Sequence, residues 1–197
     1  MDYSQFFNMI PEAGLIAALV IVFLADLILK GEKKHSVLSL LTGALLVCQI
    51  AVCFFAEPAQ AFGGMYESTP AANVMKIILT AGTFIVLVMS QSWVERKDVQ
   101  NKEGEFYELL ISTLLGMYMM ISSGHFMMFF LGLEMASVPM ACLVAFDKFK
   151  KNSAEGAAKF ILTATFSSGV MLYGISFIYG AVGTLYFGDV AAQISTS

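Results

Sequence analysis

Uncharged apolar runs alternate with short polar breaks along this chain. Ser36 to Ala56, Ile77 to Val94 and Phe160 to Gly188 contain no Asp, Glu, Lys or Arg, and each reaches or exceeds the ~18 residues that mark a bilayer-spanning helix. The stretch from Leu109 to Phe146 has no acidic or basic residue other than His125 and Glu134. It is too long for a single crossing at about 20 residues, and Ser122-Ser123-Gly124-His125 is the natural turn dividing it. The pattern predicts six helices, roughly 10–29, 36–55, 73–94, 107–123, 126–146 and 155–179, in one transmembrane domain over 1–197. Four prolines and the absence of period-2 alternation argue against a membrane β-barrel. The expected fold class is therefore all-α, a polytopic transmembrane helix bundle.

The opening MDYSQFFNMIPEAG has no basic leader region, and the apolar run after it leads into Asp26 and Lys30 without a small-residue cleavage pattern. It reads as the first span rather than a removed signal peptide. Composition agrees with a bilayer environment. Hydrophobic residues make up 58% and charged residues 13% of the 197, the mean hydropathy is +0.76, and a soluble domain would carry about 25% charged residues. No basic patch, P-loop or GxGxxG is present, so nucleic acid and nucleotide cofactors are not expected partners. Cys48, Cys53 and Cys142 lie inside apolar segments without CxxC or Cys/His spacing, and read as small hydrophobes rather than disulfide or metal ligands.

Nine of the eleven Lys and Arg fall in three breaks: Lys30, Lys33 and Lys34; Arg96, Lys97 and Lys102; Lys148, Lys150 and Lys151. The intervening connections carry none. By the positive-inside rule the basic breaks are cytoplasmic and the N-terminus is outside, as for a multi-pass protein of a bacterial inner membrane. The break AEPAQAFGGMYESTPAA and the tail YFGDVAAQISTS read as plain connector and plain end.

Two remaining charges carry the candidate chemistry. Glu134 lies eight residues past Phe126, about 12 Å into its helix and near the middle of a ~30 Å core. A carboxylic acid at that depth marks an ion path by default, because it can release and regain a proton as its surroundings change. Pro139 frees the carbonyl of Met135 beside it, and Ser137 adds a hydroxyl to which water can bind. Packing glue is the plainer alternative. Lys159 is the lone base of SAEGAAKFILTATFSSG, and Glu155 stands four residues before it, the spacing of a surface ion pair. Glu12, Asp26, Lys76 and Glu108 are near predicted helix ends and read as interfacial. The many Met and Gly residues read as packing.

GEFYELLISTLLGMYMM from Gly104, FLGLEMASVP from Phe130 and SAEGAAKFILTATFSSGVMLYGISFIYGAVGTL from Ser153 resemble, in that order, the subunit N family of proton-pumping NADH–quinone oxidoreductase, respiratory complex I. The Gly-Glu-Phe-Tyr opening favours subunit N over its two antiporter-like sisters. The resemblance implies part of an inverted-repeat architecture of about fourteen helices related to Mrp-type cation/proton antiporters, of which this chain is the N-terminal portion. It puts Glu134 on the family's fifth-helix glutamate and Lys159 on its sixth-helix lysine, as proton relay groups. The chain stops before the helix that carries the lysine paired with that glutamate in the family. Other membrane subunits of complex I, lipid and protons are the implied partners. NADH, flavin, iron–sulfur clusters and quinone are expected on other subunits, with no cofactor or metal on this chain. An antiporter subunit and a purely structural membrane scaffold are the alternatives.

Overall fold

The computed structural model describes residues 3–29, 34–94, 102–147 and 150–196. The loop residues Lys30, Lys33, Arg96, Lys97 and Lys148 lie outside the described residues. The described chain is mostly α-helical: α1 (Ile10–Ile28), α2 (Lys34–Phe55), α3 (Pro70–Val94), α4 (Glu103–Ile121), α5 (Phe126–Val144), α6 (Lys151–Val182) and α7 (Phe187–Thr196). Strands β1 (Ala59–Ala61) and β2 (Tyr66–Ser68) form an antiparallel hairpin between α2 and α3.

Local chemistry sets most boundaries. Pro11 in the first turn of α1 and Pro70 at the start of α3 occupy positions where a missing N–H costs nothing. His125 caps α5, its Nδ1 accepting from the Met127 N–H at 3.1 Å. Gly183 ends α6 in the left-handed conformation, φ 77°. α4 starts four residues before the predicted 107, because Glu103 and Glu105 suit the positive end of a helix. Likewise α6 begins at Lys151 rather than 155 and runs to Val182, and the expected plain tail forms α7.

α4 is the hub. It packs against α1, α2, α3 and α5, and the fully buried Leu15, Val22, Leu38, Leu46, Leu87, Ile111 and Leu114 fill the space between these helices. By length and apolarity α1, α2, α3, α5 and α6 are each able to cross a membrane. The first two turns of α4 carry Glu103, Glu105 and Glu108, and the other helices enclose much of its length. α6 leans only on the α5 side of the bundle and buries just Ser168 and Ile175 among its described residues.

The α4–α5 hairpin is the tightest pair. A Cβ on Gly116 would overlap the backbone of Met135 and Ala136, and one on Gly132 would meet Met120 N at 2.7 Å and Gly116 O at 2.9 Å. Helix backbones approach this closely only over glycine. Gly116→Val is therefore expected to destabilise the chain by at least the ~1–3 kcal/mol typical of overpacking, since backbone cannot rotate aside. Thermal unfolding of the detergent-solubilised protein measures this; an unchanged midpoint would mean that the two helices can move apart freely.

Three connections meet at the end of the bundle where α1 begins. The β1–β2 turn takes positive φ at Phe62 (53°), Gly63 (66°) and Gly64 (88°). Glu67 N donates to Ser122 O and Gly124 N to Met65 O, both at 2.8 Å. The α6–α7 connection adds Phe126 N to Leu185 O at 3.0 Å and Phe187 N to Gly124 O at 3.1 Å. A Cβ on Gly124 would run into the Gly64 carbonyl, so the hairpin and the α4–α5 turn touch backbone to backbone.

Candidate functional site

Glu134 is half-buried on α5, between the tightly packed Gly132 and the half-buried Ala136. Pro139 lies inside the same helix. The Ser137 hydroxyl donates to Leu133 O at 2.8 Å, so it is bonded to its own helix rather than held out for water. Lys159 does not join Glu134. Its Nζ is 2.5 Å from Glu155 Oε1, with the two side chains 74% and 58% exposed. This is the i, i+4 surface pair, worth about 0–1 kcal/mol in water.

The enclosed charges are elsewhere, on residues read from sequence as interfacial. Glu12 on α1 and Lys76 on α3 are 1% and 0% exposed, and Lys76 Nζ lies 2.6 Å from Glu12 Oε1. Ser122 Oγ, at the end of α4, donates to Glu12 Oε1 at 3.1 Å, and the Tyr66 hydroxyl on β2 donates to Oε2 at 2.8 Å. Burial, and next the facing Glu12 carboxylate, hold the Tyr66 phenol well above the ordinary range, so it stays a donor. The Lys76 ammonium also lies 5.4 Å from the ring centre of Tyr118 and 5.6 Å from that of Tyr66, within reach of a cation–π attraction.

From Lys76 the network runs deeper. Thr80 Oγ1 donates to Lys76 O at 2.8 Å and accepts from the Tyr118 hydroxyl at 2.5 Å, which in turn lies 3.2 Å from Cys53 Sγ. Gln49 Nε2 reaches Cys53 Sγ at 3.8 Å and Pro11 O at 2.6 Å. Four helices and the hairpin thus share one set of hydrogen bonds. Cys53, packed in the apolar core as a free thiol, also takes a place in this network.

At the opposite end of the bundle Asp26 pairs with Lys34 at 2.9 Å and His35 with Glu103 at 3.6 Å. A Cβ on Gly104 would overlap the Asp26 carboxylate. Between the two polar ends lies the layer of Leu15, Val22, Leu38, Leu46, Leu87, Ile111 and Leu114. The sequence did carry a signal for the Glu12–Lys76 pair: opposite charges in the first turn of one apolar helix and the second turn of another, near the N-terminus of each. Among the described residues, no group of three or more His, Cys, Asp and Glu is placed to hold a metal.

A family model for the transmembrane region of NADH:quinone oxidoreductase and Mrp antiporters matches residues 123–196, from the α4–α5 turn to α7. NADH-quinone oxidoreductase subunit N of Phocaeicola vulgatus is 52% identical over 195 residues, 99% of this chain and 41% of that protein. The chain belongs to the NADH-quinone oxidoreductase subunit N family. The subunit N of Azobacteroides pseudotrichonymphae is 42% identical over 199 residues, 100% of this chain and 42% of that protein. The chain thus spans about two-fifths of the length of the curated subunit N relatives it matches. In structure it resembles a chain of respiratory complex I from Thermus thermophilus with bound aureothin, at TM-score 0.73 and 24% identity, covering 90% of this chain and 38% of that one. A chain of the membrane-bound sulfane sulfur reductase, an archaeal respiratory membrane complex, gives TM-score 0.72 at 19% identity over 94% of this chain and 39% of that one. At these identities the two structures speak for the fold alone.

Proposed function

We propose that the chain is part of the proton-translocating membrane arm of a NADH-quinone oxidoreductase, with Glu134 and Lys159 as relay groups. The observation that carries this is the 52% identity with a subunit N over essentially the whole chain. A half-buried acid eight residues inside an apolar helix gives the relay its chemistry. NADH oxidation, flavin, iron–sulfur clusters and quinone reduction belong to other subunits, and this chain handles protons only. Its partners are neighbouring membrane subunits and lipid. Cation/proton antiport is the second reading, favoured by a family model whose description includes Mrp antiporters.

Lys159 tests the relay. An exposed cation against lipid would cost on the order of 3 kcal/mol at a helix centre and less near the surface, so in the assembled subunit it faces protein or water. Lys159→Ala in the full-length subunit of the assembled complex is expected to lower coupled proton transport with assembly intact. An equal loss with Glu155→Ala would make the ion pair, not the base, the important feature.

Orientation belongs to the same reading. Six spans with the N-terminus outside put Lys150, at the start of α6, in the cytoplasm. A cysteine there should resist a membrane-impermeant maleimide added to intact cells, and rapid labelling would reverse the topology.

A further inference from the structure

The buried pair of Glu12 and Lys76 is not part of the relay proposed above, and a fully enclosed ion pair needs a reason to exist. Removing two charges from water is expensive, and a well-packed apolar replacement is often no less stable. Carrying protons is one conceivable reason, but the geometry speaks against it. Glu12 accepts from Lys76, Ser122 and Tyr66 in a closed arrangement. The apolar layer of Leu15, Val22, Leu87, Ile111 and Leu114 separates this network from the charges at the other end of the bundle.

What the pair does hold is the α4–α5 turn. Ser122 closes α4, donates to Glu12 through its side chain and accepts from Glu67 through its carbonyl. Tyr66, the neighbour of Glu67 in β2, donates to the other oxygen of the same carboxylate. The hairpin and the turn are therefore fastened to one buried carboxyl group, which Lys76 holds in place at 2.6 Å. From the turn, α5 runs along α4 with backbone contacts at Gly116 and Gly132 that leave no room for sliding. Glu134 is two residues beyond Gly132.

We propose that Glu12 and Lys76 are positioning residues for Glu134: the ion pair fixes the α4–α5 turn through Ser122 and Tyr66, and the rigid hairpin transmits that placement to the relay carboxylate. This rests on the relay reading of Glu134. The pair itself exchanges no proton during turnover.

The test uses the full-length subunit in the assembled complex, with two readouts. Glu12→Gln with Lys76→Met removes both charges and the pair of carboxylate oxygens that Tyr66 and Ser122 share, so exchange should rise in residues 59–68 and 122–126 and coupled proton transport should fall. Tyr66→Phe with Ser122→Ala keeps the ion pair and cuts its two hydroxyl links. Amide hydrogen exchange should then rise in residues 59–68 and 122–126, and coupled transport should fall by roughly tenfold, as for other small misplacements of a reacting group. Faster exchange with unchanged transport would overturn the positioning role. So would unchanged exchange, which would mean that the hydroxyls anchor nothing. Loss of transport in the charge-free double variant, with normal assembly and exchange, would overturn it in the other direction and make the pair a proton carrier. The exchange readout does not involve Glu134, so a failure of the relay reading would show separately, as a fully coupled Glu134→Gln.

Discussion

Lys76→Met is expected to destabilise the folded chain by about 3–5 kcal/mol, the usual cost of breaking one side of a buried ion pair. Glu12 would keep its bonds from Tyr66 and Ser122 but lose the cation 2.6 Å away, in a site where it is only 1% exposed. Since about 1.4 kcal/mol is a factor of ten in an equilibrium constant, little assembled subunit should accumulate. Native gels of the membrane fraction and the unfolding midpoint of purified protein measure it. Glu12→Leu combined with Lys76→Met should recover part of the stability, because no charge is then left unpaired, although the Tyr66 and Ser122 hydroxyls lose their acceptor. A single Lys76→Met variant with an unchanged midpoint would mean that water reaches the pair.

In activity the largest effect is expected at Glu134. Glu134→Gln keeps the size and hydrogen-bonding capacity of the side chain but cannot titrate, whereas Glu134→Asp keeps the acid and shortens its reach. In the assembled full-length complex, Gln should reduce coupled proton transport and quinone reduction by roughly 10²-fold or more, in line with losing a positioned proton-transfer group. Asp should fall between Gln and wild type. Assembly should be unaffected, because Glu134 is half-buried and the tight contacts of α5 are made by Gly132 and by its backbone at Met135 and Ala136 against Gly116 of α4. A fully coupled Gln variant would reduce the carboxyl group to packing and end the relay reading.

The fold class was legible because apolar run length is a one-dimensional signal. No Asp, Glu, Lys or Arg follows Lys34 in α2, α3 carries only Lys76, and a Ser-Ser-Gly-His break stands between α4 and α5. Boundaries drifted where polar residues serve the helix itself, as with Glu103 and Glu105 in the first turn of α4. Glu134 and Lys159 stood out because each is alone in its run, and isolation is visible in sequence. Pairing is not. Glu12 and Lys76 are 64 residues apart, and each was close enough to a helix end to be read as reaching water. Only the folding of the hairpin over them, with Tyr66 fully buried, closes that exit. The hairpin sequence AEPAQAFGGMYESTPAA gave little hint of this, since its turn depends on three consecutive positive φ angles rather than on a strand pattern.

The shortness of the Glu12–Lys76 separation has an electrical consequence. A membrane that stores a proton gradient also carries a voltage, and a single charge crossing it exchanges about 2.3 kcal/mol per 100 mV. Opposite charges 2.6 Å apart in a core of ~30 Å sample less than about a tenth of that drop. The field therefore has almost no lever on the fully buried charges of α1 and α3, Glu12 and Lys76, which cancel each other. A lone lysine at the same depth would be drawn one way or the other whenever the membrane was energised. Paired, it lets the bundle keep its shape whether the voltage is high or absent.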